Sequence, residues 1–266
     1  MTTPESSELD KVLYRKPESL EDYPLHLCPG CGHGIVFRLI AEVIDELKLR
    51  ERAVCVASIG CSVNSYHYFN FDGLESAHGR APAVATAIKR CHPHLIPFTY
   101  QGDGDLAAIG TAEIVHACAR GENITTFFVN NAIYGMTGGQ MAPTTLAGMY
   151  STSTPDGRDT ARAGFPIRVC EMLATLEGPA YIARTAIHNP SSVRKTKQAI
   201  KLALKTQLAG LGMSLVEVLS PCPVNWRMEP VDALGWLAEN MIPYYPLGEY
   251  KITAAVAALK KEGSRV

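Results

Sequence analysis

Several features that would assign this protein to other functional classes are missing from its sequence. No apolar run approaches the roughly 20 residues that a helix needs to cross a bilayer, so we expect no membrane-spanning segment. Neither sign of charge is in excess, because 25 Lys and Arg residues stand against 26 Asp and Glu residues, and we expect no nucleic-acid partner. The first 23 residues are polar and acidic, the opposite of a secretory signal peptide, so we expect a cytoplasmic protein.

Repeats and a nucleotide-binding pattern are also lacking. The chain has no internal repeat or low-complexity block. No G-x-G-x-x-G follows an early strand with an acidic residue about 20 positions later, which argues against a nicotinamide-binding fold. What is present is an ordinary globular composition of 266 residues, 47% hydrophobic and 19% charged, which is enough to bury a sizeable core.

Short apolar runs alternate with amphipathic stretches along most of the chain. This alternation is typical of parallel strands connected by helices, so we predict an α/β fold with a doubly wound parallel sheet. Strands are predicted at AVCVASIG, LIPFTYQGDGD, ITTFFVNN, AYIARTA and MSLVEVL, and helices over 34–49, 78–90, 106–121 and 191–210. We expect a polar leader over 1–23, one α/β domain over 24–222, and an extension over 223–266 that packs on partner subunits.

A glycine turn and an asparagine pair follow two neighbouring predicted strands. The turn consists of Gly102, Asp103, Gly104 and Asp105, and the pair is Asn130 and Asn131. In doubly wound sheets ligands bind outside the carboxyl ends of the strands, so both segments are expected at one binding site. Asp103, Asn131 and the carbonyl of Ile133 are hard oxygen ligands suited to Mg²⁺, and Asp105 is expected to cap the following helix.

Eight cysteines in a protein without a secretion signal require another explanation than disulfides. Cys28 and Cys31 form a C-x-x-C on a glycine turn, and Cys61 and Cys222 each follow a predicted strand. Four thiolates suit either zinc or an iron–sulfur cluster, and sequence chemistry alone does not separate them. The other four cysteines are interpreted as packing residues: Cys55, Cys91, Cys118 and Cys170.

The spacing of Asp103 and Asn131, 28 positions, is similar to the thiamine diphosphate motif. Together CPGCGHG, IGCS, HGRAPAVATAIK, QGDGD, NNAIYGMTGGQ and SPCPVNW resemble the β subunit of 2-oxoacid:ferredoxin oxidoreductases, especially the 2-oxoisovalerate (branched-chain) type. The resemblance covers about residues 24–250. It implies thiamine diphosphate, Mg²⁺ held by Asp103, Asn131 and Ile133, and one [4Fe–4S] cluster held by Cys28, Cys31, Cys61 and Cys222.

The resemblance also implies roles for residues around these ligands. His78 lies near the diphosphate, the loop around Gly135, Met136 and Thr137 contacts the phosphates, and Gly60 and Cys61 border the cofactor. His33 is a candidate for proton movement on the substrate, while Ser62 and Asn64 are candidates for contacts with the thiamine ring or the substrate. Several relatives carry a basic residue where Val63 and Asn64 stand here, and this departure favours an apolar substrate side chain.

The implied reaction is CoA-dependent oxidative decarboxylation of a 2-oxoacid, with electrons passed through the cluster to ferredoxin. The best candidate is 2-oxoisovalerate, followed by 2-oxoglutarate and pyruvate. The resemblance assigns the glutamate that activates thiamine to an α subunit, so we expect the chain to be inactive alone and to work with α and possibly γ and δ subunits. Two alternatives stay open: a non-redox thiamine diphosphate decarboxylase or synthase half with a structural zinc, and a zinc-stabilised scaffold without catalysis.

Overall fold

A seven-stranded sheet forms the centre of a computed structural model, which describes residues 14–262. The strands are β1 (Ala53–Ala57), β2 (Asp72–Glu75), β3 (Ile96–Gly102), β4 (Thr125–Asn130), β5 (Pro179–Ala186), β6 (Met213–Leu219) and β7 (Gly248–Ile252). Their order across the sheet is β2-β1-β3-β4-β6-β5-β7, and every neighbouring pair is parallel except β5 and β7. The prediction of an α/β fold with a mostly parallel sheet is confirmed.

Helices cover both faces of this sheet. They are α1 (His33–Glu46), α2 (Ser65–Tyr68), α3 (Ala81–Cys91), α4 (Thr111–Ala119), α5 (Thr160–Ala163), α6 (Val169–Ala174), α7 (Pro190–Leu208), α8 (Pro223–Trp226), α9 (Pro230–Trp236), α10 (Ile242–Tyr244) and α11 (Ala254–Glu262). Helices α1, α7 and α11 share one core with the sheet, and α3, α4 and α6 share another. Within residues 14–262 we find no helix both long and apolar enough to cross a membrane.

The central strands are apolar because each is covered on both faces. Phe127 and Val129 of β4 pack into the core that contains α1 and α7, while Phe128 packs into the core on the other face. The long helix α7 begins where Asn189 accepts a hydrogen bond from the Ser192 amide, with proline at its first position. Because strands β1 to β6 run parallel, their carboxyl ends lie at one edge of the sheet.

Two strands, β2 and β7, and one helix break were not predicted. The edge strand β2 has the sequence DGLE and is mostly exposed, so no apolar signal marks it. The predicted helix over 106–121 is divided, because residues 105–109 form a π-helical turn and α4 begins only after Gly110. A side chain at Gly110 would meet the backbone oxygens of Asp105 and Gly79 at 2.5 and 2.8 Å, so this close packing requires glycine at the break.

The two ends of the chain pack on the domain where the structure describes them. Residues 1–13 of the predicted leader lie outside the described part, but Ser19 is fully buried and donates to Asp45 Oδ1 at 2.5 Å. In the predicted extension, β7 joins the sheet, and Trp226, Met241 and Tyr245 pack in a third apolar cluster. Much of the extension therefore packs on this chain's own sheet, and its packing on partner subunits stays a prediction.

Candidate cofactor-binding site

The carboxyl ends of four adjacent strands carry the polar and sulfur-containing residues singled out in the sequence. Cys61 follows β1, Asp103 follows β3, Asn131 follows β4 and Cys222 follows β6, and these strands are neighbours in that order. The chain leaves β1 for β2 on one side and returns to β3 on the other, so a switch in strand order lies between β1 and β3. Such switch points are where doubly wound sheets bind ligands.

A cavity of about 220 Å³ opens at this edge. Its predicted wall residues are His33, Gly60, Cys61, Ser62, His78, Gly102, Asp103, Gly104, Asp105, Asn131, Ile133, Gly135, Met136 and Thr137, and its further wall residues are Ile59, Ala108, Ile109 and Tyr134. Asn64 is not part of this wall, since it stands at the start of α2. The thiol-bearing residues Cys28, Cys31 and Cys222 lie outside the wall as well.

Asp103 is 4% exposed and is held by three donors. Its Oδ1 accepts from the Gly104 amide at 2.9 Å, and its Oδ2 accepts from the Ile133 amide at 3.1 Å and the Thr144 hydroxyl at 2.9 Å. Burial raises the pKa of Asp103 to about 7, although these hydrogen bonds act in the opposite direction. A bound cation would favour the charged carboxylate. The sequence pattern missed Thr144, which lies in a long irregular loop.

Oxygen-bearing groups crowd around the amide of Asn131. One end of this amide lies 2.7 Å from the Ile133 carbonyl oxygen and 3.3 Å from Asp103 Oδ2, and in this structure both contacts are satisfied when the amide nitrogen faces them. With the amide oxygen turned inward, three oxygen ligands would face one point. Hard oxygen ligands grouped in this way fit Mg²⁺, which takes the remaining positions from phosphate and water.

The turn between these ligands has an unusual backbone. Ala132 is fully buried and has a φ of 59°, a left-handed conformation that is costly for a residue with a side chain. Its amide donates to Asn130 Oδ1 at 3.1 Å, and its carbonyl accepts from the Thr145 hydroxyl at 2.6 Å. The indole of Trp226 donates to the Asn131 carbonyl at 3.0 Å. Tertiary contacts therefore hold a turn that local sequence preference would not produce.

Asp105 does not cap a helix, contrary to the sequence prediction. It is 1% exposed, and its Oδ1 accepts from Ser58, His78 Nδ1 and the Gly79 amide at 2.5–2.6 Å, while Oδ2 accepts from Gln101 at 2.5 Å. The carboxylate links β1, β3 and the start of α3, because its side chain points into the sheet edge rather than along the helix. His78 Nδ1 is thereby fixed toward Asp105, which leaves Nε2 for another partner.

His33 at the start of α1 is 2% exposed, and its Nδ1 lies 2.7 Å from the hydroxyl of Tyr100. Burial lowers the pKa of His33 to about 4, so the imidazole is neutral at pH 7. The sequence does not determine the charge of this residue, whereas its burial in the folded protein does. Tyr100 was not singled out, because its place within an apolar strand predicts only packing.

The loop after Ile133 closes one side of the cavity. Tyr134 pairs with Gln140 across the loop, and the Thr137 hydroxyl donates to Gln140 Oε1 at 2.6 Å. The Thr137 hydroxyl is therefore engaged within the loop in this conformation. Met136 on this loop and Ile109 opposite are each about half exposed, which leaves an apolar rim at the mouth of the cavity.

The four singled-out thiol groups gather beside the cavity. A Cβ atom on Gly135 would lie 3.4 Å from Cys61 Sγ and 3.5 Å from Cys222 Sγ, so both sulfur atoms face the same backbone position. Asn225 donates to Cys222 Sγ at 3.3 Å and to the Gly135 carbonyl at 3.1 Å. Cys28 and Cys31 are joined by a tight turn in which the Cys31 amide donates to the Cys28 carbonyl at 3.0 Å.

Burial and repulsion from neighbouring thiols both disfavour ionisation of Cys31, Cys61 and Cys222. Burial raises the pKa of Cys31 to about 12 and that of Cys61 to about 11, and it also raises that of Cys222; the neighbouring thiols raise each of these pKa values further. Bound iron or another metal would supply the positive charge that thiolates here require. Across residues 14–262, no three His, Cys, Asp or Glu side chains are close enough to hold one metal ion.

The remaining cysteines lie elsewhere. Cys55 is buried in β1 and Cys118 in α4, as their packing interpretation predicts. The same interpretation was wrong for Cys91, which is exposed because it stands at the end of α3. Cys170 is buried as predicted, and its thiol donates to Glu217 Oε2 at 3.0 Å. Strand β6 brings Glu217 to α6 through the fold, over a separation of 47 residues that no sequence pattern reveals.

The absence of a side chain at Gly104 allows the ring of Tyr134 to pack on the turn. A Cβ atom there would lie 2.7 Å from Tyr134 Cε1, although the backbone φ of −64° suits any residue. We therefore expect Gly104→Ala to destabilise the fold by about 1–3 kcal/mol through overpacking. Thermal unfolding of the purified variant measures the change.

Two comparisons separate this clash from other effects of the substitution. In a Tyr134→Ala background, Gly104→Ala should cost much less, because the ring is gone. Gly235→Ala serves as a matched control, since Gly235 lies in α9 with open space around it and alanine favours helix by about 1 kcal/mol. Equal destabilisation by Gly104→Ala with and without the Tyr134 ring would contradict the prediction.

The class of protein follows from comparison with known families. Residues 55–218 match the family described as "Thiamine pyrophosphate enzyme, C-terminal TPP binding domain". This match runs from β1 to β6 and contains every residue of the cavity wall except His33, including Asp103 and Asn131. The chain therefore contains a thiamine diphosphate-binding domain of this enzyme class.

Comparison with individual proteins identifies more specific relatives within this enzyme class. The chain is 45% identical over 257 residues to "Ketoisovalerate oxidoreductase subunit VorA" of Methanothermobacter thermautotrophicus, covering 93% of this chain and 54% of that protein. It is 36% identical over 220 residues to "2-oxoglutarate synthase subunit KorB" of Archaeoglobus fulgidus, covering 83% and 78%. A structure of the 2-oxoglutarate:ferredoxin oxidoreductase from Magnetococcus marinus, with 2-oxoglutarate, coenzyme A and succinyl-CoA bound, is similar with a TM-score of 0.74 and 26% identity, covering 96% of this chain and 92% of that one.

This chain belongs to the family of 2-oxoacid:ferredoxin oxidoreductase β subunits. The resemblance stated from the sequence motifs is thereby confirmed. The chain spans about half the length of the VorA proteins that it matches and about three-quarters of the KorB protein.

Proposed function

We propose that this chain binds Mg²⁺–thiamine diphosphate beside a [4Fe–4S] cluster and, with partner subunits, catalyses CoA-dependent oxidative decarboxylation of a 2-oxoacid. The observation that carries the proposal is the position of Gly135. Its loop joins the oxygen groups of Asp103, Asn131 and Ile133 to the sulfur atoms of Cys61 and Cys222. An oxygen-lined site and a sulfur-lined site so close together suit a reaction that couples decarboxylation to electron removal.

Both cofactors have a set of residues that fits them. Asp103, Asn131 and the Ile133 carbonyl would hold Mg²⁺, and Cys28, Cys31, Cys61 and Cys222 would hold the cluster. When bound, thiamine diphosphate supplies a nucleophilic carbon and an electron sink for decarboxylation, and the cluster accepts the electrons released. The thiamine diphosphate-binding domain beside these thiols favours an iron–sulfur cluster over zinc, because a cluster can accept the electrons released and zinc cannot.

The chain's own residues bind and orient the reactants. His78 belongs to the cavity wall, and its Nδ1 contact with Asp105 leaves Nε2 to donate to a phosphate oxygen. His33 is neutral and oriented by Tyr100, so its Nε2 is available to hold or pass a proton at the substrate. Ser62 is held by its bond to the Ser58 carbonyl at 3.1 Å, and it contributes a polar wall to the same cavity.

Partner subunits complete the site in this proposal. An α subunit supplies the glutamate that activates thiamine, and γ or δ subunits carry electrons to ferredoxin. The apolar rim formed by Ile109 and Met136 at the cavity mouth fits coverage by another subunit. A reducing, cytoplasmic location belongs to the same proposal, because all eight cysteines are free in the structure.

A branched-chain substrate, 2-oxoisovalerate, is the proposed preference. Val63 and Asn64 stand where several relatives carry a basic residue, so this segment offers no cation for a second substrate carboxylate. The identity is also higher to the ketoisovalerate relative than to the 2-oxoglutarate relative, 45% against 36%. Among other 2-oxoacids, 2-oxoglutarate and pyruvate are the next candidates.

The test is anaerobic purification of the chain with whichever subunits co-elute, followed by iron, sulfide and zinc analysis. The complex is then assayed with coenzyme A, a low-potential dye and a panel of branched-chain, acidic, small and aryl 2-oxoacids. We expect iron and sulfide, dye reduction that requires coenzyme A, and the highest kcat/KM with 2-oxoisovalerate. Stoichiometric zinc without iron, or decarboxylation without dye reduction, would contradict the redox function.

A further inference from the structure

Strands β5 and β6 carry a pair of buried, oppositely charged side chains that is not part of the cavity wall. Arg184 of β5 and Glu217 of β6 face each other in register, and each is at most 1% exposed. Arg184 Nε donates to Glu217 Oε2 at 2.8 Å, and its two terminal nitrogens donate to Glu171 at 2.9 and 2.6 Å. Buried ion pairs contribute little net stability, because desolvation offsets their attraction. Stability alone therefore does not explain this pair, and its role is inferred from the other contacts of Arg184 and Glu217.

The second oxygen of Glu217 reaches the turn that carries the proposed magnesium ligands. Glu217 Oε1 accepts from Asn130 Nδ2 at 2.8 Å, and Asn130 Oδ1 accepts from the Ala132 amide at 3.1 Å. A carboxylate only accepts hydrogen bonds, so it fixes which end of the Asn130 amide faces Ala132. That orientation supports the left-handed backbone of Ala132, which in turn positions Asn131 and Ile133.

A second route leads from Arg184 to Asp103. The guanidinium lies 5.1 Å from the ring centre of Tyr245, whose hydroxyl donates to the Thr144 carbonyl at 2.7 Å. The Thr144 hydroxyl donates to Asp103 Oδ2 at 2.9 Å. On its outer side, Arg184 also donates to Tyr250 at 2.5 Å, which ties strand β7 to the same group. Together the two routes reach the three groups assigned to Mg²⁺: the first leads to Asn131 and Ile133, and the second leads to Asp103.

We propose that Glu217 and Arg184 are positioning residues that set the affinity for Mg²⁺, acting through Asn130 and Ala132 on one route and through Tyr245 and Thr144 on the other. The inference rests on the proposed magnesium site and extends it to residues that touch neither metal nor cofactor. Partners behind metal ligands typically change metal affinity by about 10- to 100-fold when removed. We expect that range for Glu217.

The experiment measures the Mg²⁺ concentration that half-saturates thiamine diphosphate binding by the assembled complex, together with its thermal midpoint in the absence of Mg²⁺. In Glu217→Gln, the single amide oxygen accepts from only one of the two donors, Asn130 or Arg184, and the new NH₂ group faces the other donor. The half-saturating Mg²⁺ concentration should rise at least about tenfold. Thiamine diphosphate binding should recover at high Mg²⁺.

A second variant separates positioning from stability. Glu217→Leu combined with Arg184→Met replaces the pair by apolar groups of similar size, which is often neutral or stabilising. It should remain folded, with the thermal midpoint in the absence of Mg²⁺ lowered only by the lost acceptor of the buried Asn130 amide, yet show the same rise in half-saturating Mg²⁺. Gln207→Leu is the matched control, because Gln207 is equally buried and bonds to Thr125 at the other end of β4, and it should leave Mg²⁺ dependence unchanged.

The outcomes distinguish a failure of the positioning role from a failure of the proposed magnesium site. Wild-type Mg²⁺ dependence in the folded double variant would overturn the positioning role alone. An equal rise in Gln207→Leu would also overturn it, since the effect would then reflect general loss of packing. Binding of thiamine diphosphate by the wild-type complex without any divalent ion would contradict the proposed magnesium site. It would also contradict the positioning role, which rests on that site.

Discussion

Asp103→Ala is expected to abolish Mg²⁺-dependent binding of thiamine diphosphate, with an affinity loss above about 100-fold. The proposed magnesium site contains one charged ligand from this chain, together with two neutral oxygens from Asn131 and Ile133. Without the carboxylate, those neutral groups would have to hold a strongly hydrated dication by themselves. Calorimetric titration of the assembled complex with thiamine diphosphate in Mg²⁺ measures the loss.

Two further variants make this test specific. Asp103→Asn keeps the size and one acceptor oxygen, so it should lose affinity mainly through the missing charge and should fall between wild type and Asp103→Ala. Asp72→Ala, at an exposed position at the start of β2, should bind as wild type does. Normal Mg²⁺-dependent binding by Asp103→Ala would show that the diphosphate is held elsewhere.

Cys222→Ala should lose the iron–sulfur cluster and the 2-oxoacid-dependent reduction of a low-potential dye. Its sulfur faces Gly135 together with that of Cys61, so its removal would leave the proposed cluster with only three of its four thiolates. Mg²⁺-dependent thiamine diphosphate binding should persist, because none of its proposed ligands is a thiol. Iron and sulfide content per complex, together with the turnover rate, measure the loss.

The other cysteines provide matched controls for this result. Cys91→Ala removes an exposed thiol at the end of α3 and should leave iron content unchanged. Cys118→Ala removes a buried thiol from α4, so it should lower thermal stability without changing the iron content. A complete cluster and full turnover in Cys222→Ala would refute its assignment as the fourth ligand.

These two variants should separate the cofactors, and the structure explains why. Asp103 and Cys222 follow strands β3 and β6, with β4 between them, so each can be removed without unpairing the other's strand. The loop through Gly135 is their shared boundary. We therefore expect Asp103→Ala to retain iron and Cys222→Ala to retain thiamine diphosphate binding, with turnover lost in both.

Much of the site could be predicted from the sequence, because parallel strands bring segments that are distant in the chain to the same edge of a sheet. Buried strands are marked by apolar, β-branched and aromatic runs, and their carboxyl ends meet at one edge. The runs before Asp103 and Asn131 are strands β3 and β4, which are neighbours in the sheet. Family membership was predictable from the motifs themselves, several of which directly follow strands.

Other features depend on contacts that no local pattern encodes. Strands β2 and β7 are polar or exposed, and they pair through backbone groups at the sheet edges, so hydrophobic periodicity does not mark them. The role of Asp105 was mispredicted because a helix cap and a buried acceptor look alike in sequence. The position of Asn64 away from the cavity is set by the turn into α2, only three residues beyond Cys61.

The α/β fold, the family and the residue types available to each proposed cofactor could be predicted from the sequence alone, because strand periodicity and motif spacing are local properties. The neutral state of His33, the left-handed turn at Ala132, and the position of Glu217 and Arg184 behind the oxygen groups became evident only in the folded structure. Protonation and backbone strain depend on burial and on partners far away in the chain. Those quantities exist only once the sheet and its two helical layers have packed.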